Sequence, residues 1–398
     1  MNTICNFLDI DIYLLSYFDI KSRIQLGILS KGQYEVLFKV DYIRQLILLK
    51  REYQNKHIVD YAASHNYLEL IVWLKENNQL KYSIDAITGA AENGHVRVLE
   101  WFDKFGTKFV CADYVIELVA KNGHVAVLEW FRKSRYVFGY ANAVDMAAGN
   151  GYVEILEWFD RYEFDYVDAI DRAAAGGYVE VLNWFNGAGH GFEYTSEAID
   201  RAAENGYVNV LDWFSKSAYE FVYSEKAIDR AAENGHIGVL KWFDESEYEF
   251  KCTVKAIDKA SENGYIEILN WFDSVYKFNY TSKAIDYAVK NGHLSVLCWY
   301  HNSRHEVMYT KNMYAFAAQG GYIEILQWLR ETEYILTDEY IDNIIYWTII
   351  MKHGKIINWL IELGYDNEIK YIAETTSEFN RLYNRPLDKR TERRFYYG

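Results

Sequence analysis

An aspartate recurs along the chain at one fixed place, six residues ahead of a glycine or, once, of an asparagine: Asp60, Asp145, Asp171, Asp200, Asp229, Asp258 and Asp286. Arg172, Arg201, Arg230 and Lys259 follow it in four consecutive instances. Carboxylates beside cations could present a charged ladder to a basic partner, or perform acid–base chemistry. Acid–base work needs two carboxylates in contrasting environments that split their pKa values, and a repeated position makes all copies alike. The pattern points instead to a structural hydrogen bond or a ladder between neighbouring units. Directly after the glycine stand His95, His124, His236 and His293, replaced elsewhere by Tyr152, Tyr178, Tyr207, Tyr265 and Tyr322. A phenol is a poor substitute for imidazole at a zinc site, so these are packing residues at a helix start, with a polar tip.

Cys298, His301 and His305 have ligand-like spacing, C-x2-H-x3-H. A structural zinc site wants four ligands and no second Cys or His pair lies nearby, so they read as a surface thiol and two solvated histidines. The chain contains no H-E-x-x-H, no phosphate-binding glycine loop, no G-x-S-x-G and no cysteine-nucleophile motif. It reads as a non-enzyme, and no cofactor is implied.

The elements that carry these residues are set by a repeat. Tryptophans fall at 73, 101, 130, 158, 184, 213, 242, 271, 299, 328 and 359, mostly 28 or 29 residues apart, with Trp347 alone outside the series. A glycine stands seven residues before each of the second to tenth. In the first unit Asn66 takes that place; in the last, Gly354 is five residues ahead of Trp359. Atypical end units are what a capped array predicts. In the unit Tyr194 to Tyr223, Thr195 and Ser196 can cap a helix that places Ala198, Ile199, Ala202 and Ala203 on one stripe. Asn205 and Gly206 end it. Tyr207, Val210, Leu211 and Phe214 then mark a second helix, and SKSAYEFVY returns the chain to the next unit. Neither helix can bury its stripe alone, so units must stack. Small alanines allow close approach, while Trp and Phe fill the space between units. At roughly 8 to 10 Å between packed helices, eleven units predict a curved rod on the order of 100 Å long.

Composition agrees. The 398 residues carry 42 Lys and Arg against 57 Asp and Glu, a formal charge of −15. Hydrophobic residues at 51% suffice for a core, and the single proline, Pro386, favours long regular structure, most naturally helical. An acidic chain repels DNA, RNA and anionic lipid unless a basic patch is strongly segregated; the expectation is therefore no nucleic acid and no membrane as partners. Four scattered cysteines fit a reducing, cytoplasmic compartment. No signal peptide or membrane span is legible.

AAENGHVRVLEWF at Ala90 to Phe102 and AAENGHIGVLKWF at Ala231 to Phe243 resemble the helix, Gly-His, helix core of the ankyrin repeat. The resemblance covers about residues 57 to 364, eleven units. It implies an all-α ankyrin-type solenoid of stacked helix-turn-helix units whose work is protein binding. The usual period is about 33, so the shorter period here implies a reduced or absent hairpin finger, and Ala-Ile-Asp, as in Ala198, Ile199 and Asp200, replaces the Pro-Leu-His of the usual opening. This form is similar to the ankyrin families of giant DNA viruses of amoebae, which would place it in the host cytoplasm.

Residues 1–55 lack the repeat. Leu14, Leu15, Tyr17, Phe18, Asp19, Ile20, Leu26, Leu29, Ser30, Lys31 and Tyr34 resemble an F-box, although the proline that normally follows the first leucine is missing; the other reading is a helical cap on the first repeat. An F-box would dock the adaptor subunit of a cullin-RING ubiquitin ligase through Leu14, Leu15, Ile20 and Leu26, leaving the repeats of residues 56–364 to select a protein substrate. Without it, the chain is a structural or scaffolding repeat protein with no ubiquitin connection. Residues 365–398 read as a C-terminal helix and basic tail. Binding should use the first-helix edge and the loops between units, where repeat positions vary. Five residues before the glycine the chain has Gly89, Leu118, Met146, Arg172, Tyr287 and Phe316, which with Arg201, Arg230 and Lys259 form the candidate partner-binding surface. The partner's identity is not written in these residues.

Overall fold

The computed structural model describes residues 58–76, 78, 80–105, 114–134, 142–161, 166, 168–188, 192–276, 278–303, 310, 312–332 and 338–383. All regular structure among them is α-helical. The helices come in pairs. The first eight are α1 (Ile58–Ser64), α2 (Leu68–Glu76), α3 (Ile84–Glu92), α4 (Val96–Lys104), α5 (Tyr114–Lys121), α6 (Val125–Lys133), α7 (Ala143–Ala148) and α8 (Val153–Asp160). They are followed by α9 (Ala169–Ala175), α10 (Val179–Ala188), α11 (Ser196–Glu204), α12 (Val208–Lys216), α13 (Glu225–Glu233), α14 (Ile237–Glu245), α15 (Val254–Glu262) and α16 (Ile266–Val275). The last are α17 (Ser282–Lys290), α18 (Leu294–Asn302), α19 (Asn312–Gly320), α20 (Ile323–Glu331), α21 (Asp338–Met351), α22 (Gly354–Glu362) and a closing α23 (Asp366–Tyr383). The chain divides into two compact units, Met1–Ala169 and Ile170–Gly398.

The local chemistry of one repeat accounts for its shape. Thr195 is extended, with φ −113° and ψ 176°, and its hydroxyl accepts the Glu197 N–H, capping α11. Gly206 ends the helix at φ +79°. There Tyr207 N–H donates to Ala202 C=O at 2.8 Å and Gly206 N–H to Ala203 C=O at 3.1 Å. These two bonds form a Schellman closure that satisfies carbonyls the helix end would otherwise leave open. The chain turns straight into α12, whose Val210, Leu211 and Phe214 are buried against the alanine face of α11.

In each unit the first helices pack on one another in series: α1 on α3, α3 on α5 and α5 on α7, then α11 on α13 and onward through α21 to α23. Ala198, Ala202 and Ala203, like their counterparts at 227, 231 and 232, are 0% exposed, because helices packed this closely favour small side chains; Val119, Ser261 and Val289 fill the same positions elsewhere. The core between repeats is filled by the residue after each tryptophan, mostly phenylalanine, with Phe185, Phe214, Phe243 and Phe272 at 1% exposure or less and Tyr300, Leu329 and Leu360 in the same place further on. The tryptophans themselves were expected inside, and Trp130, Trp158 and Trp359 are buried. Trp213, Trp242 and Trp271 instead lie half-buried at the rim, edge-on to that phenylalanine at 5.1 Å, which leaves the indole N–H free to find a polar acceptor. In the described loops Ser217–Ser224 and Ser246–Thr253 no strand forms.

The last repeat differs from its sequence reading. Lys352, seven residues before Trp359, holds the left-handed turn at φ +62°, while Gly354 opens α22 with open space around it. Spacing therefore locates this turn better than residue identity does.

Candidate partner-binding surface

The recurring aspartates join each repeat to the next. The Asp200 carboxylate accepts the Ser224 N–H at 2.8 Å and the Ser224 hydroxyl at 2.5 Å. Asp229 takes Thr253 at 2.7 and 2.6 Å, and Asp258 takes Thr281 at 2.8 and 2.6 Å. Asp60 with Ser83 and Asp171 with Thr195 repeat the pattern, and Asp286 accepts the Thr310 hydroxyl. The residue held is the N-cap of the next first helix, so one carboxylate satisfies a cap that in turn satisfies the helix. Burial pushes the Asp258 and Asp286 carboxyls up from their ordinary values, and the hydrogen bonds from Thr281 and Thr310 partly offset it. Three repeats have Thr88, Glu117 or Ala315 in place of this aspartate; in one of them Glu117 accepts the Asn142 amide at 3.0 Å, a longer acid meeting a longer donor.

The other recurring residues have joints of their own. A Cβ built on Gly206 would lie 2.7 Å from the His236 ring, and one on Gly177 would lie 2.7 Å from the Tyr207 ring. The glycine thus serves twice, through its positive φ and by letting the next repeat's ring lie flat on the turn. Any flat ring with a tolerant edge suffices, which is why His and Tyr alternate. At the two ends, His95 Nε2 lies 3.1 Å from Ser64 O and His353 Nε2 lies 2.8 Å from Gln319 O. Asn205, Asn234, Asn263 and Asn291 donate their amides to the last carbonyls of the preceding first helix. Trp213, Trp242 and Trp299 donate Nε1 to Asn183, Asp212 and Asn270, each at 2.7 Å.

Beside the residues that make the cap, turn and indole contacts, each first helix carries one further stripe. At its centre lie Arg172, Arg201, Arg230, Lys259, Tyr287 and Phe316, all within the second unit; Arg201 is exposed and the others are half-buried. The cations pair with glutamates of their own or the preceding repeat: Arg201 with Glu197 at 2.9 Å, Arg230 with Glu204 at 2.5 Å, and Lys259 with Glu262 at 2.8 Å and Glu233 at 3.4 Å. Hydrogen bonds from Lys226 and then Arg201 hold the Glu197 carboxyl below its ordinary value, while Glu262 and then Glu233 raise the Lys259 ammonium. Lys290 Nζ sits 5.9 Å from the Tyr287 ring centroid and 5.8 Å from that of Phe316, bridging two repeats. Lys226, Lys255 and Lys283, four residues before Arg230, Lys259 and Tyr287, join the same stripe. Sequence reading missed them; their i, i+4 spacing was the available signal.

The residues proposed for the adaptor, Leu14, Leu15, Ile20 and Leu26, lie outside the described residues, as does His305. His301 packs edge-on against Trp328 at 5.5 Å. Cys252 is exposed as a residue, yet desolvation of its thiol and then the nearby Asp229 push it up to about 11, far from a reactive thiolate. No described helix is long and apolar enough to cross a membrane.

No family model and no curated protein matches the chain. Solved structures do. One is the pentatricopeptide repeat protein PPR10 in complex with an 18-nt psaJ RNA element, at 11% identity and TM-score 0.37, covering 94% of this chain and 63% of that one. Another is PPR10 from maize, at 13% identity and TM-score 0.29, covering 98% and 68%. This chain therefore spans less than two thirds of the first structure it matches. The likeness is one of helical-repeat folds. The sequence-based expectation of no nucleic acid is nonetheless corrected, because it rested on net charge alone and stands against the RNA complex just described. The physical reason is local: net charge averages the whole chain, whereas Arg172, Arg201, Arg230 and Lys259 gather on one helix face.

Proposed function

We propose that the chain is a non-catalytic binding module that docks a protein partner along the first-helix stripe of its second unit. One observation carries this reading. Positions that make the cap clamp or the turn contact keep a few residue types, chiefly Asp at the clamp and His or Tyr on the turn, whereas the stripe centre runs from cation at Arg172 to aromatic at Phe316. Variation confined to an accessible column of a rigid scaffold is how repeat surfaces acquire specificity.

The finer reading is an ankyrin-type repeat protein of the giant-virus kind acting in host cytoplasm, with Leu14, Leu15, Ile20 and Leu26 bringing the adaptor of a cullin-RING ligase to a repeat-bound substrate. Its support is the residue resemblance at 90–102, 231–243 and 14–34. The test is affinity purification of the full chain from amoebal lysate beside two full-length variants, Arg201→Glu/Arg230→Glu and Leu14→Asp/Leu15→Asp, read by mass spectrometry. The first should lose the substrate protein and the second the adaptor and cullin. Identical protein sets for all three baits would overturn both assignments.

A further inference from the structure

We infer that the stripe takes an extended acidic polypeptide segment carrying Asp or Glu at every third residue, followed in the same register by apolar residues. The inference rests on the binding reading above and specifies its ligand.

The register follows from two lengths. Packed helices stand roughly 8 to 10 Å apart, so Arg172, Arg201, Arg230 and Lys259, one per repeat on successive first helices, offer a cation at about that interval. A polyproline II segment has three residues per turn and rises about 3.1 Å per residue, so every third side chain faces the same way at about 9 Å. An α-helical ligand advances only about 5.4 Å per turn and falls out of step. Beyond Lys259 the column changes to Tyr287 and Phe316, half-buried rings that would receive apolar side chains at the next two register positions.

Charge complementarity selects the ligand class. In a chain of formal charge −15, this stripe is locally cationic. Lys226, Lys255 and Lys283 run beside the central column, all exposed, and Lys255 and Lys283 make no ion pair among the described residues. Within the pairs the cation stands further out than its carboxylate: Arg201 is 55% exposed against 34% for Glu197, and Lys259 39% against 24% for Glu262. Such ammonium and guanidinium groups can accept a second carboxylate without unfolding the stripe. The intervening Glu197, Glu204, Glu233 and Glu262 favour a polypeptide over RNA. A continuous phosphate backbone would run against all four, whereas acids spaced three residues apart meet only the cations.

The test uses the full chain and fluorescence anisotropy with four probes. These are a peptide with glutamate at every third position four times and leucine at the next two, a scrambled peptide of the same composition, a helix-favouring peptide with glutamates at i, i+4 spacing, and a single-stranded RNA of matching length. We expect the register peptide to bind about tenfold more tightly than the other three, and Arg201→Gln/Arg230→Gln to weaken it about tenfold, in keeping with two partly exposed charge pairs. Equal binding of register and scrambled peptides, or tighter RNA binding, overturns the inference. That comparison is made on the unaltered chain, so it decides even where the variant folds poorly. If the register peptide fails while Arg201→Glu/Arg230→Glu still abolishes capture of the lysate partner, the ligand assignment falls and the binding surface stands.

Discussion

Asp229 and Thr253 close a two-point clamp across consecutive repeats, the carboxylate receiving the backbone N–H at 2.7 Å and the hydroxyl at 2.6 Å. The same threonine hydroxyl accepts the Lys255 N–H and so starts the next helix. Helix initiation in one repeat therefore depends on a side chain of the repeat before it, and a fault at one joint should be felt at its neighbour.

Asp229→Ala should lower the unfolding free energy by about 2 kcal/mol, the scale of a lost charge-assisted hydrogen bond together with a weakened cap. Asp229→Asn, which retains one acceptor, should lose less. Urea unfolding midpoints followed by far-ultraviolet circular dichroism measure both; a midpoint unchanged in the alanine variant would mean the clamp is inert.

Two glycines should respond with opposite signs to the same change. Gly206→Ala meets a left-handed φ of +79° and a His236 ring at 2.7 Å, so a loss of at least about 1 kcal/mol is expected. Gly354→Ala has a right-handed backbone and open space within α22, and should gain up to about 0.5–1 kcal/mol. Lys352→Gly, which relieves the φ of +62°, should also stabilise. Thermal melts of the three variants would expose any error in this sign pattern.

Ser261 and Tyr300 share a buried 2.8 Å hydrogen bond where the neighbouring joint has Ala232 and Phe272. Ser261→Ala alone orphans the phenol and should cost about 1–3 kcal/mol, whereas Ser261→Ala/Tyr300→Phe restores the apolar pair and should be close to neutral. A double-mutant cycle reads the difference; strict additivity would count against it.

The buried aspartates and the exposed glutamates should show opposite pH slopes. Burial raises the Asp286 carboxyl, with the Thr310 and Asn312 hydrogen bonds opposing. The folded chain then keeps its proton to higher pH than the unfolded chain, and the associated stability is full below the unfolded value and declines as pH rises from about 4. Glu197 is lowered, first by Lys226 and then by Arg201. Its contribution is present above its unfolded value, about pH 4, and is lost as pH falls. Melting temperatures against pH for wild type, Asp286→Asn and Glu197→Gln should therefore show the wild-type margin over Asp286→Asn shrinking with pH and that over Glu197→Gln growing.

Much of the helical framework was legible because it is written in local chemistry. Thr195 as a cap, Gly206 as a stop and the Ala198, Ile199, Ala202 stripe each act within one turn, and repetition multiplies the signal. That the recurring aspartate ties neighbouring units together was legible from its repetition, but the partners across each joint were not. Nothing local in the sequence says that Asp229 reaches 24 residues forward to Thr253, or that the His236 ring lies on Gly206, because these contacts depend on how hairpins stack. Trp213 was placed inside by its size, yet the indole N–H needs an acceptor and Asn183 supplies it at the rim. At the candidate surface, Arg172 to Phe316 could be found as a varying column and the parallel lysines by their i, i+4 spacing, but the pairing of Arg230 with Glu204 and of Lys259 with Glu233 emerges only when successive repeats are assembled.

The clamp has one further consequence. A repeat with the full clamp offers a carboxylate to its successor and a capping hydroxyl to its predecessor, as Asp229 and Ser224 do from one repeat. Excising one such length of chain, or duplicating it, leaves complementary ends that rejoin by the same two hydrogen bonds. A gene built of these segments can grow or shrink by recombination between copies without designing a new junction, and a ligand-reading column can be lengthened one residue at a time by the same event.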